Sequence, residues 1–186
     1  LARWRQLDRL FAGRYRHGQF SNAEGRILDV ACGTGRNFRY LPESSDVVGI
    51  DISADMLTHA RDEHDRLGLD GGVRRMDAQA LAFPADSFDT VISSFSTCTF
   101  PHPIAALREM ERVCKPDGKI LLLEHSRSDV APLAWLQDRR AEAHYEKNGC
   151  RLNHEPLATV QHAELTIDDA STRLFGLVTA IDLTPR

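Results

Sequence analysis

Ile27-Leu28-Asp29-Val30-Ala31-Cys32-Gly33-Thr34-Gly35-Arg36-Asn37 is an apolar run that breaks into a glycine turn. The run from Arg26 to Ala31 predicts a short buried strand, and Cys32 to Gly35 a turn that leaves it. A glycine turn at the end of a buried strand lets backbone approach a ligand, because no Cβ stands in the way. Two other glycine motifs are excluded. A phosphate loop needs Gly-Lys-Ser/Thr, and here Arg36-Asn37 follows Gly35. The dinucleotide fingerprint needs a small residue three places beyond the second glycine, and that place is Phe38. The loop suits a nucleoside that carries no diphosphate.

Outward from this stretch the elements alternate. Val47 to Ile50 predicts a second strand ending at Asp51, and Ala54 to Leu67 a helix with Ser53 as N-cap and Gly68 as its stop. Val73–Met76 reads as a weak third strand, Phe88–Ser93 as a fourth, Ile104–Cys114 as a helix and Lys119–Glu124 as a fifth strand, with Pro116-Asp117-Gly118 as a break before it. Strands separated by helices imply parallel βαβ units. Leu133–Tyr145 and Glu155–Ala163 then predict two helices, and Leu165–Ile167 and Leu177–Leu183 two strands joined around Gly176, close enough to pair antiparallel. The fold class expected is α/β: a Rossmann-like, doubly wound seven-stranded sheet, mostly parallel, with an antiparallel C-terminal strand pair. One domain over residues 1–186 is expected. It divides into an N-terminal lid helix (1–20), a cofactor-binding core (27–125), acceptor-side helices (126–164) and the strand pair (165–186).

Asp29, Asp51 and Asp77 lie on or at the ends of the first three strands. A carboxylate at the end of the second strand accepts ribose hydroxyls, and one at the third accepts from an exocyclic amine. Three acidic groups around one cleft suit a cationic nucleoside, and S-adenosylmethionine is such a ligand. The chain resembles class I S-adenosylmethionine-dependent methyltransferases over about residues 20 to 186. The resemblance is carried in order by ILDVACGTGRN (27–37), VVGIDISADML (47–57), MDAQALAFPADSFDTVISSF (76–95) and LREMERVCKPDGKILLLEHSRS (107–128). It implies that Asp29 and the backbone around Ala31, Cys32, Gly33 and Gly35 hold the amino-acid end of the cofactor. Asp51 would take the ribose, with Ile52 and Met56 on the adenine, although both are equally readable as core. Asp77 and Ala78 would read the adenine amine, and Ser93 and Ser94 would lie near the sulfonium.

Methyl transfer is an in-line displacement, so catalysis can rest mostly on positioning, with a base only where the acceptor must lose a proton. Ser93 to His102 lacks the Asn/Asp-Pro-Pro-aromatic signature of enzymes that methylate nucleic-acid bases. Its small polar and aromatic residues suit a pocket for a small or partly apolar acceptor, with Ser96 and Cys98 in its wall. His125, ending the fifth strand, is the candidate base; a structural histidine is the competing reading. Asn153 and His154 follow a Gly149-Cys150 step and are candidate pocket residues, against a helix cap for the following helix. The subgroup resembled includes bacterial phospholipid-type and quinone-type methyltransferases and mammalian thiol methyltransferase-like proteins. No third ligand joins His125 and His154, and the four cysteines form no CxxC pair, so no metal is expected.

Trp4, Leu7, Leu10, Phe11 and Tyr15 fall near helical spacing among arginines. Two readings stand: a lid over the cofactor with Tyr15 facing the cleft, or contact with a membrane surface. The chain opens on Leu1 rather than Met, so residues upstream are expected. A net charge of −4 argues against binding DNA by bulk charge. No signal peptide or spanning run is legible, and dispersed cysteines fit a reducing compartment, so a cytoplasmic enzyme, able to sit at the periphery of a membrane, is expected. The expected function is methyl transfer from S-adenosylmethionine to a small or lipid-like acceptor. The alternatives are an RNA or protein methyltransferase and a cofactor-binding partner subunit without turnover. Oligomeric state is not legible.

Overall fold

The structure is a computed structural model that describes residues 12–43 and 45–186. Seven strands form one sheet in the order β3-β2-β1-β4-β5-β7-β6: β1 (Arg26–Val30), β2 (Asp46–Asp51), β3 (Asp70–Arg75), β4 (Phe88–Ser94), β5 (Cys114–His125), β6 (Thr166–Arg173) and β7 (Val178–Thr184). The first five run parallel, and β7 pairs antiparallel with both β5 and β6. The described helices are α1 (Gly13–Phe20), α2 (Ala54–Leu67), α3 (Pro103–Val113), α4 (Ala131–Asn148) and α5 (Pro156–His162). The Rossmann-like seven-stranded sheet with an antiparallel end pair is the architecture the sequence predicts.

Successive residues of the central strands serve opposite faces, because a strand alternates its side chains. Leu28, Val48, Val91 and Leu122 pack in one core with Leu107, Met110 and Val160 from α3 and α5. Ile27, Val47, Ile92 and Leu121 pack in the other with Phe20, Phe38, Leu57 and Ala60. Being buried on both faces is what makes these strands read as continuous apolar runs.

Three expectations change. β3 starts at Asp70 and so includes Gly71-Gly72, because pairing with Asp46–Asp51 overrides the low strand propensity of glycine. β5 starts at Cys114, and Pro116-Asp117-Gly118 is a detour inside it rather than a break. Its register against β4 jumps from Phe88↔Cys114 to Thr90↔Lys119. β6 extends to Arg173 through polar, mostly exposed residues, as an edge strand permits. Of the N-terminal helix, Trp4, Leu7, Leu10 and Phe11 lie outside the described residues. No described helix is long and apolar enough to cross a membrane.

Candidate active site

The chain leaves β1 through Ala31, Gly33 and Gly35, all with positive φ. A Cβ on Gly33 would meet nothing within 4 Å, so this side of the loop is open to a ligand. Gly35 is closed: a Cβ there would strike the Phe38 ring at 2.6 Å. The one glycine faces a cradle and the other permits close packing, a division of roles that glycine turns of this kind use.

Asp51 ends β2 opposite this opening. Its Oδ2 accepts from the Gly33 N–H at 2.9 Å and its Oδ1 from the Ser53 N–H at 2.8 Å. The carboxylate is held from both sides, is half-buried, and keeps acceptor capacity on each oxygen. Ile52 and Met56 are 62% and 46% exposed, which removes the reading of both as core and leaves an apolar surface beside Asp51. Asp77 is half-buried, and its carboxyl lies below the usual range because the Gln79 backbone N–H and then the Gln79 amide donate to it.

Other site expectations are relocated. Asp29 is fully buried, with its oxygens accepting from Asn37 Nδ2 at 3.0 and 3.1 Å. Burial raises its carboxyl from 3.8 to about 7, against the lowering effects of Asn37 and then Arg16. Of the three carboxylates, Asp51 and Asp77 are half-buried, whereas Asp29 is enclosed against Asn37. The Cys32 thiol packs into the core, and its buried surroundings push its pKa up, so only its backbone belongs to the loop. Ala78 is a core residue as well. Ser93 is fully buried, with Oγ donating to the Val30 carbonyl at 2.7 Å and meeting Ser96 Oγ at 2.5 Å, so it is framework. Ser94 is half-buried and donates to Asn37 Oδ1 at 2.9 Å.

Asn37 is not singled out by the sequence, yet it ties three elements to the glycine loop. It holds Asp29, accepts from Ser94, and accepts from Arg16 Nε of α1 at 3.0 Å. Arg16 is buried and also lies over the Phe95 ring, 5.1 Å from its centroid. Through Arg16, α1 sits on the glycine loop. Tyr15 lies elsewhere, in a groove of about 240 Å³ lined with Arg14, Gln19, Leu123, Arg173 and Val178.

The acceptor side, past the ends of β4 and β5, is organised by Glu124. This fully buried carboxyl accepts from the Ser96 and Thr97 backbone N–H groups. Burial raises it from 4.5 to about 7, against those bonds. Ser96 is therefore buried and engaged with Glu124. Cys98 is buried and lies 3.2 Å from Cys150, Sγ to Sγ. His125 Nε2 lies 3.1 Å from Cys150 Sγ, so the candidate base is already engaged. Asn153 turns away to Asp138 Oδ1, at 3.1 Å. Its neighbour His154 faces inward, with Nε2 2.9 Å from Thr97 Oγ1 and its ring 6.1 Å from that of His125. Nor is either residue a helix cap, since α5 has no side-chain N-cap bond.

The methyltransferase domain family matches residues 28–122. A phosphatidylethanolamine N-methyltransferase of Cereibacter sphaeroides is 37% identical over 124 residues, 66% of this chain and 60% of that protein. A ubiquinone/menaquinone biosynthesis C-methyltransferase UbiE of Pseudomonas paraeruginosa is 40% identical over 119 residues, 61% of this chain and 46% of that protein. The chain thus spans about half the length of these curated relatives. A Thermotoga maritima crystal structure described as an S-adenosylmethionine-dependent methyltransferase, possible histamine N-methyltransferase, superposes with a TM-score of 0.72. It covers 100% of this chain and 96% of its own at 20% identity, a likeness of fold.

Proposed function

Because this chain belongs to the S-adenosylmethionine-dependent methyltransferase domain family, we propose that it transfers a methyl group from that cofactor to a small, lipid-like acceptor. The observation that carries the reading is the pairing of an open glycine cradle at Gly33 with Asp51, whose two oxygens are fixed by backbone N–H groups. The cradle fits a nucleoside held without phosphates.

S-adenosylmethionine, when bound, supplies an electrophilic methyl group on a positively charged sulfur. The chain's own contribution is binding and orientation. Asp51 would take the ribose hydroxyls, Ile52 and Met56 would cover the adenine, and Asp77 would accept from its amine. Asn37 holds the loop against β4 and α1, so that the backbone of residues 31–35 is presented in one conformation. The acceptor would enter past the ends of β4 and β5, beside His125 and His154. The names of the relatives, a phospholipid and a quinone methyltransferase, favour an acceptor with an apolar body. We further propose a cytoplasmic enzyme that can meet a membrane surface, a reading supported by Trp4, Leu7, Leu10 and Phe11 falling near helical spacing among arginines.

Calorimetric titration with S-adenosylmethionine and S-adenosylhomocysteine tests the cofactor. Transfer of a labelled methyl group to phosphatidylethanolamine, a demethylated quinol and a hydrophobic thiol tests the acceptor. Binding of both nucleosides with label in one of the three is the expected result. Binding without transfer to any lipid-like acceptor would leave a cofactor-binding partner subunit instead.

A further inference from the structure

We propose that Cys98, His125 and Cys150 form a site for one thiophilic divalent cation of the zinc class, with a fourth position open towards the acceptor side. Their Sγ, Nε2 and Sγ atoms all lie within 4.8 Å of one another, the one such set of three or more candidate ligands among the described residues. Two thiolates and an imidazole are the soft and borderline donors that such an ion selects, and three protein ligands with one vacancy is the pattern of reactive rather than structural sites. The charge closes as well: two thiolates neutralise the cation, and the protons of the two thiols leave to solvent.

The spacing asks for a small adjustment. A tetrahedral zinc site, with bonds of about 2.3 Å to sulfur and 2.0 Å to nitrogen, has edges of about 3.5–3.8 Å. The present separations are 3.2 Å for Cys98–Cys150 and 3.1 Å for His125–Cys150. Both involve Cys150, which is half-buried in the loop just past the Gly149 C-cap of α4. The adjustment therefore falls on one side chain, a few tenths of an ångström outward, whereas a disulfide would require the sulfurs to close to about 2.05 Å.

The three segments are fastened to one another. Glu124 holds the turn before Cys98 and stands next to His125 in β5. Gln137 donates to the carbonyls of Ser126 and Leu152, tying the end of β5 to the loop that carries Cys150. The Arg127 N–H donates to the His154 carbonyl at 2.8 Å, closing the same junction. These contacts give Glu124 and Gln137 a role as positioning residues, the outer support that metal ligands require. The cation site itself does not depend on the acceptor. Its use would rest on the function proposed above: a metal at this edge would lower the pKa of a thiol or hydroxyl acceptor and hold it as its anion, with the proton released to solvent, so that no side chain need act as base.

The test is titration of reduced, anaerobically purified protein, with both thiols verified free, using Co(II) as the probe. One Co(II) per chain is expected, with thiolate-to-cobalt charge transfer in the near ultraviolet and the intense visible bands of a tetrahedral site. Cys150→Ser and His125→Ala are each expected to weaken binding about tenfold or more, and Cys114→Ala, outside the cluster, to leave the spectrum unchanged. Cys150 is half-buried, so its variant is expected to fold and to keep S-adenosylmethionine affinity. A featureless spectrum from protein that binds S-adenosylmethionine would overturn the metal site and leave the cofactor reading intact. Co(II) affinity and bands unchanged in Cys150→Ser would also overturn it.

Discussion

Asp29 shows how far one residue can sit from its first reading. It belongs to the glycine-loop motif, but it is buried and meets Asn37 rather than open cleft. Its role has a pH signature. The native protein keeps the Asp29 proton up to about 7, whereas the unfolded chain releases it near 3.8. Between those values the unfolded state binds fewer protons, so this group lowers stability as pH rises through that window, and the loss levels off above it. Asp29→Asn removes the titration. Its stability relative to the parent should therefore climb between pH 4 and pH 7, by up to about 4 kcal/mol, and then stay level. Urea midpoints across that range check it, and a difference independent of pH would show that burial does not control the group. At Asp51 the prediction concerns binding. Asp51→Ala removes the acceptor for two backbone N–H groups as well as the ribose contact. Cofactor affinity should fall by about 1–3 kcal/mol, and an unchanged calorimetric affinity would refute the ribose assignment. The motif made Asp29 and Asp51 legible as residues of interest. Only the packing separates the one that faces the cleft from the one beneath it.

Among the elements, those with strong local signals were read closely. α2 runs from Ala54 to Leu67, with Ser53 as N-cap and Gly68 in the left-handed C-cap, as the cap residues predict. β5 starts earlier than its sequence predicts, because Pro116-Asp117-Gly118 carries turn chemistry that a sheet also uses for an irregular register. That detour is tightly packed: a Cβ on Gly118 would lie 2.6 Å from the Asp89 carbonyl oxygen and 2.8 Å from Cys114 Sγ. Gly118→Ala should lower stability by about 1–3 kcal/mol through displaced backbone, read as a fall in Tm. A variant as stable as the parent would mean that the detour yields freely. The element ends also made the acceptor side. Glu124 was legible only as part of an Glu-His step, and its hold on the turn after β4 appears once parallel pairing brings the β4 and β5 ends together.

For the molecule as a whole, charge and topology answer different questions. The net charge of −4 leaves no bulk attraction for nucleic acid. The protein should pass through a heparin column at physiological salt, and firm retention would reopen an RNA acceptor. The fold class was legible, because apolar runs separated by helical patterns have few right-handed ways to close, whereas the strand order comes from the structure. Local sequence by itself determined the glycine turn, the acidic residues of the strand ends and the helix caps, since each depends on residues a few places apart, and the succession of strands and helices determined the parallel architecture. Tertiary structure alone decided which of those side chains meet. Asn37 reaches Arg16, Asp29 and Ser94 across three elements. Cys98, His125 and Cys150, too far apart in the chain to be recognised as a set, come within 4.8 Å. The physical reason is that a sheet gathers the ends of its strands along one edge. Residues far apart in sequence become neighbours there, and no periodicity along the chain records it.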